Sequence, residues 1–169
     1  FPTTFEELIV LEEHSSDHKE WLQNIDKNEW KFEKRFKEFI SAELGYGHNI
    51  VEDIMDTADK ILSKLENPKR LGSWRRQGLV FGNVQSGKTT SYSALINKAT
   101  DAGYKIIVVL GGLNKNLRSQ TQIALEEYYT GYKTANRMDA VTERIGVGLL
   151  NEYRNLKVTT LTSRDDRRS

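Results

Sequence analysis

Gly78-Leu79-Val80-Phe81-Gly82-Asn83-Val84-Gln85-Ser86-Gly87-Lys88-Thr89-Thr90 is the stretch on which the reading of this sequence turns. A short apolar run with the character of a buried strand enters a glycine-rich turn, and a helical stretch leaves it. Gly82 to Thr89 fits the pattern G-x-x-x-x-G-K-[ST]. Each position has a physical reason. Glycines let the backbone curl with its N–H groups pointing inward around a phosphate chain. The helix that follows presents its positive N-terminus to the same phosphates. Lys88 supplies a point charge between the β- and γ-phosphates, and the Thr89 hydroxyl suits Mg²⁺. The residues expected to bind a nucleotide are therefore Gly82, Asn83, Val84, Gln85, Ser86, Gly87, Lys88, Thr89 and Thr90, with Lys88 catalytic, Thr89 the metal ligand, and ATP and Mg²⁺ the cofactors.

Downstream of the loop, helical spacing runs from about Lys88 to Asp101, and Ala102-Gly103 breaks it. Ile106 to Leu110 reads as a second buried strand, rich in β-branched residues. Gly111-Gly112 ends that run, a helix is expected from about Asn114 to Tyr129, and another at 137–145. Val158 to Leu161 reads as a third strand. Strands alternating with helices predict βαβ units and a parallel sheet, hence an α/β fold. Upstream, the pattern is helical. Thr4 and Glu7 form a capping box ahead of Leu8, Ile9 and Leu11. A short helix is expected around Trp21, Leu22 and Ile25. Another starts near Asn28 and carries Phe32, Phe36, Phe39 and Ile40 on one face, with Gly45 as its C-cap. Asn49 is expected to cap a fourth helix that bears Ile50, Val51, Ile54, Met55, Ala58, Ile61, Leu62 and Leu65 and stops at Asn67-Pro68. The predicted organisation is a helical subdomain at 1–72 and the N-terminal part of a P-loop NTPase domain at 73–169.

Charge follows the same division. Residues 1–72 carry 10 basic and 16 acidic side chains, whereas 73–169 carry 15 and 8. The basic half suits a polyanion, or the two halves attract each other. No run of about 18 apolar residues, as a membrane helix needs, is present. With Cys 0, disulfides and thiolate chemistry are excluded, and a cytoplasmic protein is the expectation. The chain starts at Phe1 without an initiator Met, so it reads as cut at its N-terminus.

Beyond the loop, a set of words makes a more specific match: Leu65-Glu66-Asn67-Pro68, Gly78-Leu79-Val80, the Val84-Gln85-Ser86 centre of the loop, Ala102-Gly103-Tyr104, Gly112-Leu113 with Asn116-Leu117-Arg118-Ser119-Gln120-Thr121-Gln122, and Arg144-Ile145-Gly146-Val147-Gly148. In these the chain resembles the endonuclease Z-one domain family, closely over about Leu65–Tyr129 and loosely elsewhere. These are P-loop ATPases related to superfamily-two helicases and found in bacterial restriction or defence gene sets. The resemblance implies a RecA-like parallel sheet, incomplete in this chain, and ATP hydrolysis that in the intact protein drives DNA translocation or cleavage. It also implies DNA and the remaining C-terminal part of the polypeptide as partners. Leu113 to Gln122 occupies the place of a helicase motif that touches the nucleic-acid backbone, so Lys115, Asn116 and Arg118 are expected DNA contacts. Alternatively this is an ordinary amphipathic helix with Leu117, Ile123 and Leu125 in the core.

Other readings stay in view. A nucleotide or small-molecule kinase also uses a P-loop, and a non-enzymatic nucleotide-gated interaction module would use the helical part for docking. A GTPase is disfavoured, since Asn114-Lys115-Asn116-Leu117 lacks the Asp of a base reader. The acidic Mg²⁺ motif and arginine finger of a helicase-like ATPase are not evident: Asp165-Asp166 follows a polar segment beside Arg164, Arg167 and Arg168, and reads as surface. His14 and His18 lack a third metal ligand. Trp74 with Arg75 and Arg76 suits either a core edge or a base and its phosphates. Gly146-x-Gly148 is too short to be a phosphate loop.

Overall fold

The computed structural model describes residues 9–12, 17–81, 87–111, 114–134 and 143–162. Its framework is helical. α1 (Lys31–Glu38) continues through a π-helical turn at Phe39–Glu43, and α2 (His48–Lys64), α3 (Lys88–Ala102) and α4 (Lys115–Leu125) follow, the last running into a π-helical turn at Glu126–Thr130. Short 3-10 turns lie at Leu22–Asn24, Gly146–Leu149 and Asn151–Tyr153. Two strands, β1 (Ile9–Glu12) and β2 (Gly78–Phe81), pair antiparallel with Ile9 opposite Phe81 and Glu12 opposite Gly78.

α2 shows why the helical reading upstream works. Val51, Ile54, Met55, Ala58, Ile61 and Leu62 recur at three- and four-residue steps and are all buried. With Phe36, Phe39 and Ile40, the residues Val51, Ile54, Met55 and Ala58 close over Ala94 of α3, and Trp21, Leu22, Trp30 and Leu62 close over Ala99 and Ala102. α3 therefore lies in both cores, and α1 and α2 pack directly on it. The helix ends at Lys64 ahead of Asn67-Pro68, as the proline rule requires. Its start differs: Gly47 is the N-cap, and Asn49 lies inside the first turn. α1 likewise begins at Lys31 and not near Asn28. Its first turn is capped from another element, by Asp101 of α3, which accepts hydrogen bonds from the backbone N–H groups of Phe32 (3.2 Å) and Glu33 (2.8 Å).

The predicted α/β, RecA-like parallel sheet is overturned. Among the described residues the two-stranded antiparallel pair is the whole sheet. The segment from Ile106 to Leu110 has no regular structure, with Ile106 80% and Leu110 90% exposed, although Ile107 between them packs on the Trp21–Leu62 cluster. It is irregular chain that touches the core through Ile107, and among the described residues no strand pairs with it. Val158–Leu161 is irregular too, and Leu161 is 94% exposed. β-branched runs suit a pleated surface, but they become strands only where another strand completes their ladder. β2 finds its partner in β1, at residues expected to be helical; Thr4 to Leu8 lie outside the described residues. The helix expected at 137–145 lies mostly outside them as well, and Arg144 forms an isolated bridge with Tyr132.

α4 also packs differently from the expectation. Leu117 and Ile123 are exposed, Leu125 is half-buried, and the buried stripe is polar: Gln122, Glu126 and Thr130. The Glu126 carboxylate accepts from the Thr134 N–H at 3.1 Å and from the Thr134 hydroxyl, while Thr162 donates to Gln122 at 2.9 Å. The π-turn leaves carbonyls pointing into the core, where the guanidinium of buried Arg35 donates to Tyr129 O and the Asn97 amide to Tyr128 O. Gly146 and Gly148 now acquire a structural reason. A Cβ on Gly146, whose φ is +50°, would lie 2.0 Å from Glu127 O, and one on Gly148 would lie 1.8 Å from Gly131 O. Two backbones touch there, and no side chain fits between them.

Candidate functional site

The predicted phosphate loop lies between β2 and α3, in the strand-to-helix order that the motif requires. Gly82, Asn83, Val84, Gln85 and Ser86 lie outside the described residues. The described part begins at Gly87, which adopts the left-handed conformation (φ 64°, ψ 31°) as the N-cap of α3. Ser91 returns to it, its N–H donating to Gly87 O at 3.1 Å. Lys88 and Thr89 stand exposed on the first turn, whereas Thr90 is buried. This division is physical: the ammonium and one hydroxyl face solvent at the positive end of a 15-residue helix, and the next residue turns into the protein. Thr90, expected among the nucleotide contacts, is turned into the protein and away from solvent. The Thr89 hydroxyl is hydrogen-bonded to Tyr92, whose own hydroxyl is pushed up by burial, an effect that this bond opposes. Tyr92, one turn along, was not singled out by the sequence; a tyrosine four positions past the lysine is the signal that could have marked it. Contrary to expectation, the strand leading in is not buried, since Leu79 and Val80 are both exposed.

α3 owes its position to a charged core as much as to an apolar one. Buried Lys98 holds Glu33 of α1 at 2.6 Å and Asp59 of α2 at 2.8 Å, and Lys27 reaches the same Asp59 at 2.7 Å. Arg35 is stripped of solvent, which lowers its guanidinium to about 10, with Tyr129 and Asp101 opposing the shift.

The expected DNA contacts sit at the start of α4. Lys115 and Asn116 are exposed and Arg118 is half-buried. One free N–H of that terminus is already engaged, because Asn114 Oδ1 accepts from the Asn116 N–H at 2.8 Å. Trp74 does not join the phosphate loop. It meets Tyr104 edge-on at 6.4 Å, just past the C-terminal end of α3, and α3 is 15 residues, or about 22 Å, long. Arg76, expected near phosphate, is instead spent on Glu66 (2.6 Å) and Asp17 (3.0 Å). His14, Asp165 and Asp166 lie outside the described residues, and His18 meets the Ser63 carbonyl at 3.0 Å through Nε2. Among the described residues no three His, Asp or Glu side chains gather to hold a metal, and no helix is long and apolar enough to cross a membrane.

No protein-family model matches the chain, and no curated protein or solved structure does.

Proposed function

We propose that Gly82 to Thr89 binds the phosphates of ATP together with Mg²⁺, and that the chain is the ATP-binding part of an ATPase. The observation that carries this reading is the exposure of Lys88 and Thr89, side by side, on the first turn of α3 behind a left-handed Gly87. In that arrangement the helix N-terminus and the Lys88 ammonium neutralise phosphate charge, and Thr89 offers an oxygen of the kind that Mg²⁺ takes. Magnesium, when bound with the nucleotide, neutralises charge on the β- and γ-oxygens. Exposed Lys115 at the start of α4 and the family resemblance support the wider reading. In it, hydrolysis in the intact protein drives DNA translocation or cleavage in a bacterial restriction or defence system, in the cytoplasm.

The test is calorimetric titration with ATP–Mg²⁺, comparing the wild-type chain with Lys88→Ala. Saturable binding that the substitution abolishes supports the assignment; equal affinity in the two proteins, or no binding by either, refutes it.

A further inference from the structure

The connector from Asn67 to Gln77 joins α2 to β2, and it is held rigidly at its base. Buried Glu66 accepts from Arg70 at 2.7 Å and from Arg76 at 2.6 Å, and both arginines also reach Asp17. The Tyr104 hydroxyl donates to Glu66 O, Asn67 Oδ1 accepts from the Lys69 N–H, and Trp74 rests against Tyr104. Gly72, at φ 85°, turns the chain at its tip. Above this base the loop displays what a folded chain normally hides. Leu71 is 94% exposed and Trp74 39%, whereas Trp21 and Trp30 are buried. Lys69, Arg75 and nearby Lys105 are exposed and enter no ion pair among the described residues. The cations of the connector are thus divided: Arg70 and Arg76 are consumed by Glu66 and Asp17, whereas exposed Arg75 follows Trp74 in the chain, exposed Lys69 lies five residues before it, and exposed Lys105 follows Tyr104, the residue Trp74 rests against.

We propose that the face formed by Lys69, Trp74, Arg75 and Lys105 binds single-stranded nucleic acid, a base stacking on Trp74 and the cations meeting the flanking phosphates. An aromatic ring set among unpaired cations is the chemistry by which single strands are held without sequence preference. The loop is pre-ordered by Glu66, so little side-chain and backbone freedom is lost on binding. The carboxylates of Glu66 and Asp17 are taken up by Arg70 and Arg76 and do not pair with Lys69, Arg75 or Lys105. This face lies at the opposite end of α3 from Lys88, so the inference stands apart from the ATP reading.

Trp74 is the one exposed tryptophan of the 3 in the chain, so quenching by a stacked base falls on its share of the emission, over the background of buried Trp21 and Trp30. The full chain is titrated with a short mixed-sequence single-stranded oligonucleotide. Expected are quenching in the wild type, an affinity lowered about tenfold or more in Trp74→Ala measured by anisotropy of a labelled strand, and a salt slope reduced by about 1.4 in the double variant Lys69→Gln, Arg75→Gln. Both surface glutamines leave the fold intact, which circular dichroism checks, so the double variant decides even if Trp74→Ala unfolds. Lys88→Ala should bind the strand as the wild type does. Absence of quenching, an unchanged slope, or binding to anionic phospholipid vesicles in preference to the oligonucleotide would overturn the proposal, the last in favour of a membrane surface.

Discussion

Asp101 of α3 accepts a 2.8 Å hydrogen bond from the backbone N–H of Glu33, in the first turn of α1. One helix thus supplies the N-cap of another, 68 residues away in sequence. The cap is also the place where solvent has been stripped from a carboxyl group, and burial raises Asp101 above its ordinary value of 3.8 even though the Glu33 and Phe32 N–H bonds pull the other way.

A pH dependence follows from that shift. A carboxyl whose folded value is raised holds its proton more tightly when folded, so its contribution to stability falls as pH climbs from its ordinary value through the raised one. Asp101→Asn keeps one acceptor for the α1 N-terminus and cannot titrate. Urea unfolding across that acidic window should show the variant gaining on the wild type as pH rises. A stability difference that does not change with pH would contradict the assignment.

Removing Lys98 should be among the most damaging single changes. Lys98→Ala leaves Glu33 and Asp59 facing one another around a cavity, and breaking a buried pair in this way costs about 3 kcal/mol. Equilibrium urea melts measure it. A loss of less than about 1 kcal/mol would mean that water replaces the ammonium.

Lys88→Ala should behave in the opposite way. The side chain is exposed, so the melting temperature without nucleotide should stay within about a degree or two of the wild type, as for an ordinary surface substitution. Stabilisation by excess ATP–Mg²⁺, expected for the wild type by mass action, should vanish. Differential scanning fluorimetry with and without nucleotide reads both effects.

Glu66→Gln should loosen the connector. Burial pushes Glu66 up, but the guanidinium groups of Arg76 and Arg70 outweigh it and hold the carboxyl below its ordinary value of 4.5. Its stabilisation is therefore present above that value and fades as pH drops through the lowered one. Trypsin at neutral pH should cut after Lys69, Arg70, Arg75 or Arg76 slowly in the wild type and several-fold faster in the variant. Equal rates would show that Tyr104 and Trp74 hold the connector without the carboxylate.

Much of the helical part was legible because it obeys a local rule. The spacing of Val51, Ile54, Met55, Ala58, Ile61 and Leu62 gives α2 one apolar face whatever it packs on, and Asn67-Pro68 stops it. The helix that starts at Lys88 was equally readable, since a glycine N-cap and the following helical pattern are properties of adjacent residues. Pairing was not. Ile106–Leu110 and Ile9–Glu12 are both short apolar or mixed runs, and nothing within either says that the second lies beside β2 while the first does not. A strand needs a neighbour about 4.8 Å away to take its N–H and C=O groups, and that neighbour comes from a distant part of the chain. The same distinction separates Trp74 from the phosphate loop. By sequence it stands four residues before the strand that feeds the loop; the fold sends it to Tyr104 at the far end of α3. Arg76 is diverted to Glu66, Lys98 is buried between two carboxylates from other helices, and Gly146 and Gly148 are pressed against another backbone. Periodicity and turn chemistry act over a few residues and are written in the sequence, whereas which charge meets which, and which strand finds an edge, depends on distances that exist only once the chain has closed on itself.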